Sequence, residues 1–131
     1  MTKSLIRFSI FAVVCSLFFI SSCKKDEELD RVKFIGTYGA VETCNSGNDS
    51  YDIVITASST GDDKIVISNL YAFPGTLVAS VSGNNITIAS QAVQNITYSG
   101  SGSLNGNTLT ISFSVTDGSN ADNCTSICTK K

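Results

Sequence analysis

Residues 95–116 read NITYSGSGSLNGNTLTISFSVT, and this stretch decides the fold. Ile96, Tyr98, Leu104, Leu109, Ile111, Phe113 and Val115 alternate with Thr and Ser on both sides of Asn105-Gly106. Period two with one apolar face is the mark of a half-buried strand. Asn-Gly between two such runs is the strongest short hairpin signal, because a type I′ turn needs positive φ at both central residues. A two-residue loop at Asn105-Gly106 places Leu104 opposite Asn107, Gly102 opposite Leu109, Gly100 opposite Ile111, Tyr98 opposite Phe113 and Ile96 opposite Val115. All apolar residues then share a face, and a slip by one residue would destroy that agreement.

The same logic extends outward along the chain. Gly83-Asn84 sets Val81 against Ile86 and Ala79 against Ile88. Thr60-Gly61-Asp62 sets Ala57 against Ile65 and Ile55 against Ile67. Three hairpins in order make a meander, with strands expected near 36–44, 51–58, 64–70, 76–82, 85–91, 95–104, 107–116 and 124–129. Gly100 and Gly102 fall on the inner face, where a missing side chain permits a bend or a close approach. The expectation is an all-β, antiparallel, up-and-down barrel or half-barrel of about eight strands, with a β-sandwich as the alternative.

The first 33 residues are of another kind. Lys3 and Arg7 precede an apolar run from Phe8 to Ile20, shorter than the ~20 residues a spanning helix needs. A basic start, a short apolar core and small residues describe a secretory signal over residues 1–22. Ile20-Ser21-Ser22-Cys23 resembles the lipobox of bacterial lipoproteins, which implies cleavage before Cys23 and lipidation of its thiol. Lys24-Lys25-Asp26-Glu27-Glu28 resembles the surface-export signal of Bacteroidetes-type lipoproteins; a plain solvated spacer is the other reading. Two or three acyl chains anchor stably where one does not. Residues 23–33 form the lipidated cysteine and a charged tether reaching about 35 Å if extended, and residues 34–131 the β domain. These resemblances imply an outer-membrane, lipid-anchored protein at the cell surface, with the periplasmic face as the alternative.

Gly36-Thr37-Tyr38 ahead of a meander is similar to the opening of lipocalin-like lipoproteins, with tyrosine in the place of tryptophan. The chain has no tryptophan, so no binding residue carries over. As a whole the domain resembles short Ser/Thr-rich lipoproteins of unknown role, through Gly36-Thr37-Tyr38, Thr43-Cys44, Ile86-Thr87-Ile88 and Leu109-Thr110-Ile111-Ser112.

Composition narrows the chemistry. Between residues 36 and 129, Lys64 stands alone against Glu42, Asp49, Asp52, Asp62, Asp63, Asp117 and Asp122. Such a domain has no electrostatic footprint for nucleic acid. The chain holds no histidine, which removes the usual general base near neutral pH and the usual metal ligand. No catalytic residues, cofactor or metal site are expected. Asp62-Asp63 reads as a solvated hairpin tip. The 117–123 stretch offers oxygen ligands without the spacing of a calcium loop. Three thiolates from Cys44, Cys124 and Cys128 suit a metal, but an exported protein favours a disulfide. First and last strands of a closed meander are antiparallel neighbours, so Cys44 at the end of one and Cys124 at the start of the other should pair; Cys44–Cys128 is the runner-up. Cys124 and Cys128 lie about 13 Å apart along a strand, beyond the ~7 Å a disulfide spans. Tyr71 and Phe73, in the apolar loop 71–75, either plug the barrel or touch a ligand or partner. The functional expectation is a non-catalytic surface module for a protein or glycan, or else a carrier of a small apolar ligand.

Overall fold

The computed structural model describes residues 29–131. The expected signal segment, the lipobox-like Ile20–Ser22, Cys23 and the Lys24–Glu28 cluster lie outside the described residues. Eight antiparallel strands close into one barrel in simple chain order. They are β1 (Gly36–Cys44), β2 (Gly47–Ala57), β3 (Lys64–Ser68), β4 (Thr76–Ser82), β5 (Asn85–Val93), β6 (Ile96–Asn105), β7 (Thr108–Thr116) and β8 (Ala121–Lys130). The ring is sealed by β1 against β8, with Cys44 opposite Cys124, Glu42 opposite Ser126 and Ala40 opposite Cys128. Closure removes every sheet edge, so no ladder is left open to another chain.

The alternation of burial follows the expected faces. In β7, Leu109, Ile111, Phe113 and Val115 point inward, and in β2 so do Ile53 and Ile55. The lumen is occupied by side chains, with Phe34, Tyr38, Ile53, Ile65, Leu109 and Ile111 fully buried. An eight-stranded barrel has an interior just wide enough for such filling. Tyr98 and Tyr38 lie in this medium. Burial raises both phenols above the usual value, Tyr98 to about 12.

The β2–β3 register is as expected, with Ile55 opposite Ile67 and Ala57 opposite Ile65. In β4–β5, Val81 meets Ile86. The expected Ala79–Ile88 pair is not formed, because the ladder ends at Ser80 and Thr87. The β5–β6 register shifts between Ile88 and Gln91. There the Gln91 side chain replaces the backbone partner, accepting from Val78 N–H at 2.9 Å and donating to Val78 C=O at 2.8 Å.

The β6–β7 register differs from expectation by a slide of two. Leu104 faces Leu109, Gly102 faces Ile111, Gly100 faces Phe113 and Tyr98 faces Val115. The physical reason lies in the turn. Asn105 stays in the ladder opposite Thr108, and the loop is Gly106-Asn107. Gly106 has φ +61° and neither asparagine has positive φ. That pattern fits a type II′ turn, which needs positive φ at the first central residue only. A slide of two preserves both faces, so the apolar pattern does not resist it.

The strand ends move too. β2 begins at Gly47 instead of 51, which makes a tight β1–β2 hairpin at Asn45-Ser46, and β8 begins at Ala121 instead of 124. Asn45 N–H donates to Asn123 C=O at 3.1 Å across that end. The expected tether is shortened. Residues Asp30–Phe34 form a 3-10 helix against the barrel base, beside the 58–63 and 83–84 loops. Arg31 Nη1 donates to the carbonyls of Ser58, Gly61 and Lys64 at 2.9, 2.8 and 3.2 Å. Asp30 accepts from Gly83 N–H at 3.1 Å, and Lys33 Nζ donates to Asn84 Oδ1 at 2.7 Å. A guanidinium shared among three carbonyls, two of which also accept backbone N–H groups, is a charge-assisted anchor. It recruits residues that composition alone marks as spacer.

Candidate functional site

The strand directions place two unlike ends on the barrel. The base holds the 3-10 helix, the C-terminus and the described lysines and arginine: Arg31, Lys33, Lys64, Lys130 and Lys131. The mouth half holds Glu42, Asp49, Asp117 and Asp122, with no Lys or Arg among the described residues. Its loops are the 45–46 hairpin, the 69–75 connection, the turn at Gln94-Asn95 and the 117–120 loop.

A cleft of about 410 Å³ opens at this mouth, lined by Ser46, Tyr71, Ile96, Val115, Asp117 and Asp122 among others. Its volume falls within the range of small-molecule sites, roughly 300–1,000 Å³. One wall is the short 3-10 segment Leu70–Ala72, held in an unusual backbone. Asn69, Tyr71 and Ala72 have φ of 70°, 66° and 50°. Non-glycine residues in the left-handed region cost energy and persist where their surroundings fix them. Here the fixing is visible. Leu70 is buried at 2 % exposure, and the Tyr71 ring meets Phe113 edge-on at 6.3 Å. Tyr71 N–H donates to Tyr51 Oη at 2.8 Å, and Tyr71 Oη donates to Asp122 Oδ2 at 2.9 Å. The apolar loop is thus divided between core and cleft. Leu70 closes the end of the core, half-buried Phe73 lines a small void there with Leu77, Val93 and Tyr98, and Tyr71 lines the cleft.

Asp122 is the clasp of this end. It also accepts from Ser46 N–H at 3.2 Å and from the Ser46 hydroxyl, so one carboxylate ties β8, the 45–46 hairpin and the plug together. Those hydrogen bonds, Ser46 first and Tyr71 next, hold its carboxyl below the ordinary aspartate value. A depressed carboxyl contributes stability that is present above the unfolded pKa, about 3.9, and lost as pH falls through the lower folded value. The wild-type urea midpoint should therefore drop between pH 4 and the folded pKa beneath it, and Asp122→Asn should flatten that limb. Paired urea titrations at pH 7 and pH 3 measure the difference. Asp117 is spent differently, on the N–H groups of Ser119 and Asn120 at 2.9 and 2.7 Å, as in an ordinary polar turn.

Below the mouth lies a second group. Glu42 is only 3 % exposed and accepts from the Tyr51 hydroxyl and from Ser126 Oγ at 3.0 Å. Cys44 and Cys124 form the expected disulfide, with 4.1 Å between α-carbons. Cys128 is the buried free thiol; burial, then the nearby Glu42, pushes it up to about 12, so it is inert as a nucleophile near neutral pH. Glu42, Ser46, Tyr51 and Ser126 were not singled out from the sequence, and Asp122 entered only within the 117–123 stretch. Strand parity held the signal: Glu42 shares a face with Tyr38, Ala40 and Cys44, and Asp122 and Ser126 share one with Cys124 and Cys128.

Comparison of the chain with protein-family models, curated proteins and solved structures finds no match.

Proposed function

We propose that this chain is a lipid-anchored, non-catalytic module of the bacterial cell envelope that presents the mouth of a filled barrel to partners away from the membrane. The observation that carries the reading is the placement of the two ends. The chain enters the barrel at the base through the docked helix Asp30–Phe34, and the cleft opens at the opposite end. An anchor at Cys23 followed by residues 24–29 gives a leash of about 20 Å. With so short a leash at the base, the acidic mouth points outward, where an anionic lipid surface does not oppose it. The absence of histidine and the inert Cys128 support a binding role over catalysis. The partner is a protein or glycan. The cleft volume favours a second reading, a carrier for a small ligand, with that ligand seated at the mouth among Tyr71, Ile96 and Val115, because side chains fill the lumen.

The test is metabolic labelling with a fatty-acid analogue, combined with protease access on intact and lysed cells. Wild-type chain should take up label and be cut on intact cells; Cys23→Ser should take up none and leave the membrane fraction. Unlabelled wild type overturns the anchor. Labelled wild type that is protected until lysis moves the protein to the periplasmic face.

A further inference from the structure

The corner where β1 meets β8 holds four inward residues in two facing pairs: Glu42 opposite Ser126, and Cys44 opposite Cys124. One carboxyl oxygen there has an unusual neighbour. Glu42 Oε2 takes both hydroxyl donors, while Oε1 lies 3.4 Å from Cys44 Sγ. A disulfide sulfur carries no hydrogen, so nothing donates to Oε1. Glu42 also takes part in none of the ion pairs among the described residues. A buried acid aimed at two sulfurs without a counter-charge is costly unless something satisfies it. One ligand atom from each of Glu42, Cys44 and Cys124 lies within 4.8 Å of the others. An outer groove of about 610 Å³ is lined by both cysteines and Cys44 is partly exposed, so the disulfide lies near solvent.

We propose that Glu42, Cys44 and Cys124 form a redox-gated site for a divalent thiophilic cation, closed while the disulfide is intact and opened when it is reduced. A dithiol reductant transfers two electrons and two protons to the S–S bond and becomes a disulfide itself; Cys44 and Cys124 become thiols. The cation then displaces both thiol protons to solvent and takes two sulfurs and Glu42 Oε1. Zinc prefers four ligands in a tetrahedron with Zn–S of about 2.3 Å, which needs the sulfurs about 3.8 Å apart. Side chains from facing strand positions reach that separation by rotation. Ser126 Oγ or a water completes the set. The site carries its own counter-charge only with the metal bound, which accounts for an acid being kept beside the two sulfurs.

The test uses the full lipidated chain in detergent, stripped of metal and reduced with a phosphine. Cobalt(II) is the probe. The reduced chain should bind one equivalent and develop thiolate-to-cobalt charge-transfer absorption, which zinc(II) then abolishes by displacement; the oxidised chain should show none. Cys128→Ala should keep the band and Cys124→Ser should lose it. Glu42→Gln should weaken cobalt binding by about tenfold or more, on the scale of losses seen when a metal site is disturbed. Far-UV circular dichroism follows the barrel throughout. The proposal fails if the folded, reduced chain gives no band, or if the band survives in Cys124→Ser. It fails equally if Glu42→Gln binds cobalt as wild type does, or if reduction unfolds the barrel and zinc(II) does not restore it.

Discussion

Gly100→Ala should destabilise the barrel by about 3 kcal/mol, at the upper end of overpacking costs, and lower the melting temperature by about 15 °C for a domain of this size. A Cβ at Gly100 would lie 2.4 Å from Ser112 O, 2.6 Å from Phe113 Cβ and 2.7 Å from Phe113 Cα. Two of those atoms belong to the facing backbone, so no rotamer change relieves the clash. The β6–β7 ladder must open or the strand must slide. Gly102 is milder: a Cβ there would meet one backbone atom, Thr110 O at 2.9 Å, and otherwise the Ile86 side chain at 3.0 and 3.2 Å. Gly39→Ala is the control. Its Cβ would meet only Lys131 and Asp52 side-chain atoms at 3.5 and 3.8 Å, and the change should stay within about 0.5 kcal/mol. Thermal melts of the three variants decide it. A Gly100→Ala chain as stable as Gly39→Ala would mean that the two strands are not so closely opposed.

Replacing both Cys44 and Cys124 with alanine should cost about 4 kcal/mol, or about 20 °C in melting temperature. The bridge spans 80 positions of sequence, and in the chain-entropy model a loop that long contributes most by restricting the unfolded chain. It also joins the strands that complete the ring. Those strands are the first and last to be made, and their pairing has the largest loop-closure cost of any in the barrel. The folded variant should keep its β spectrum, since the β1–β8 ladder remains hydrogen-bonded from Tyr38–Lys130 to Cys44–Cys124. Urea unfolding of the double variant, beside wild type with and without reductant, measures the effect. Equal midpoints in all three would show that the bridge does not contribute to stability.

Much of this protein is written in local pattern. Period two in 51–57 and 109–115 determines which face of each strand is buried, and turn glycines at 83 and 106 determine where the meander folds back. Together these require an antiparallel all-β unit; a half-barrel or a sandwich would also fit the pattern, and closure is seen only in the β1–β8 pairing. The disulfide was also legible, since a closed meander must bring Cys44 and Cys124 together. The proposed envelope address rests wholly on the linear pattern of residues 1–28.

Other features were decided by tertiary structure. The β6–β7 register slid by two because a side-chain alternation of period two is blind to even shifts, and the backbone of one glycine broke the tie. Residues 30–33 joined the fold because Arg31 found three carbonyls that lie 27, 30 and 33 positions away, a coincidence no local window contains. Glu42 and Asp122 look like surface acids by residue type. Strand parity turns them inward, and only the closed ring supplies Tyr51, Ser126, Ser46 and Tyr71 to receive them. Local sequence fixes directions along one strand; the partners of an inward polar group come from strands far along the chain, and they meet only when the barrel closes.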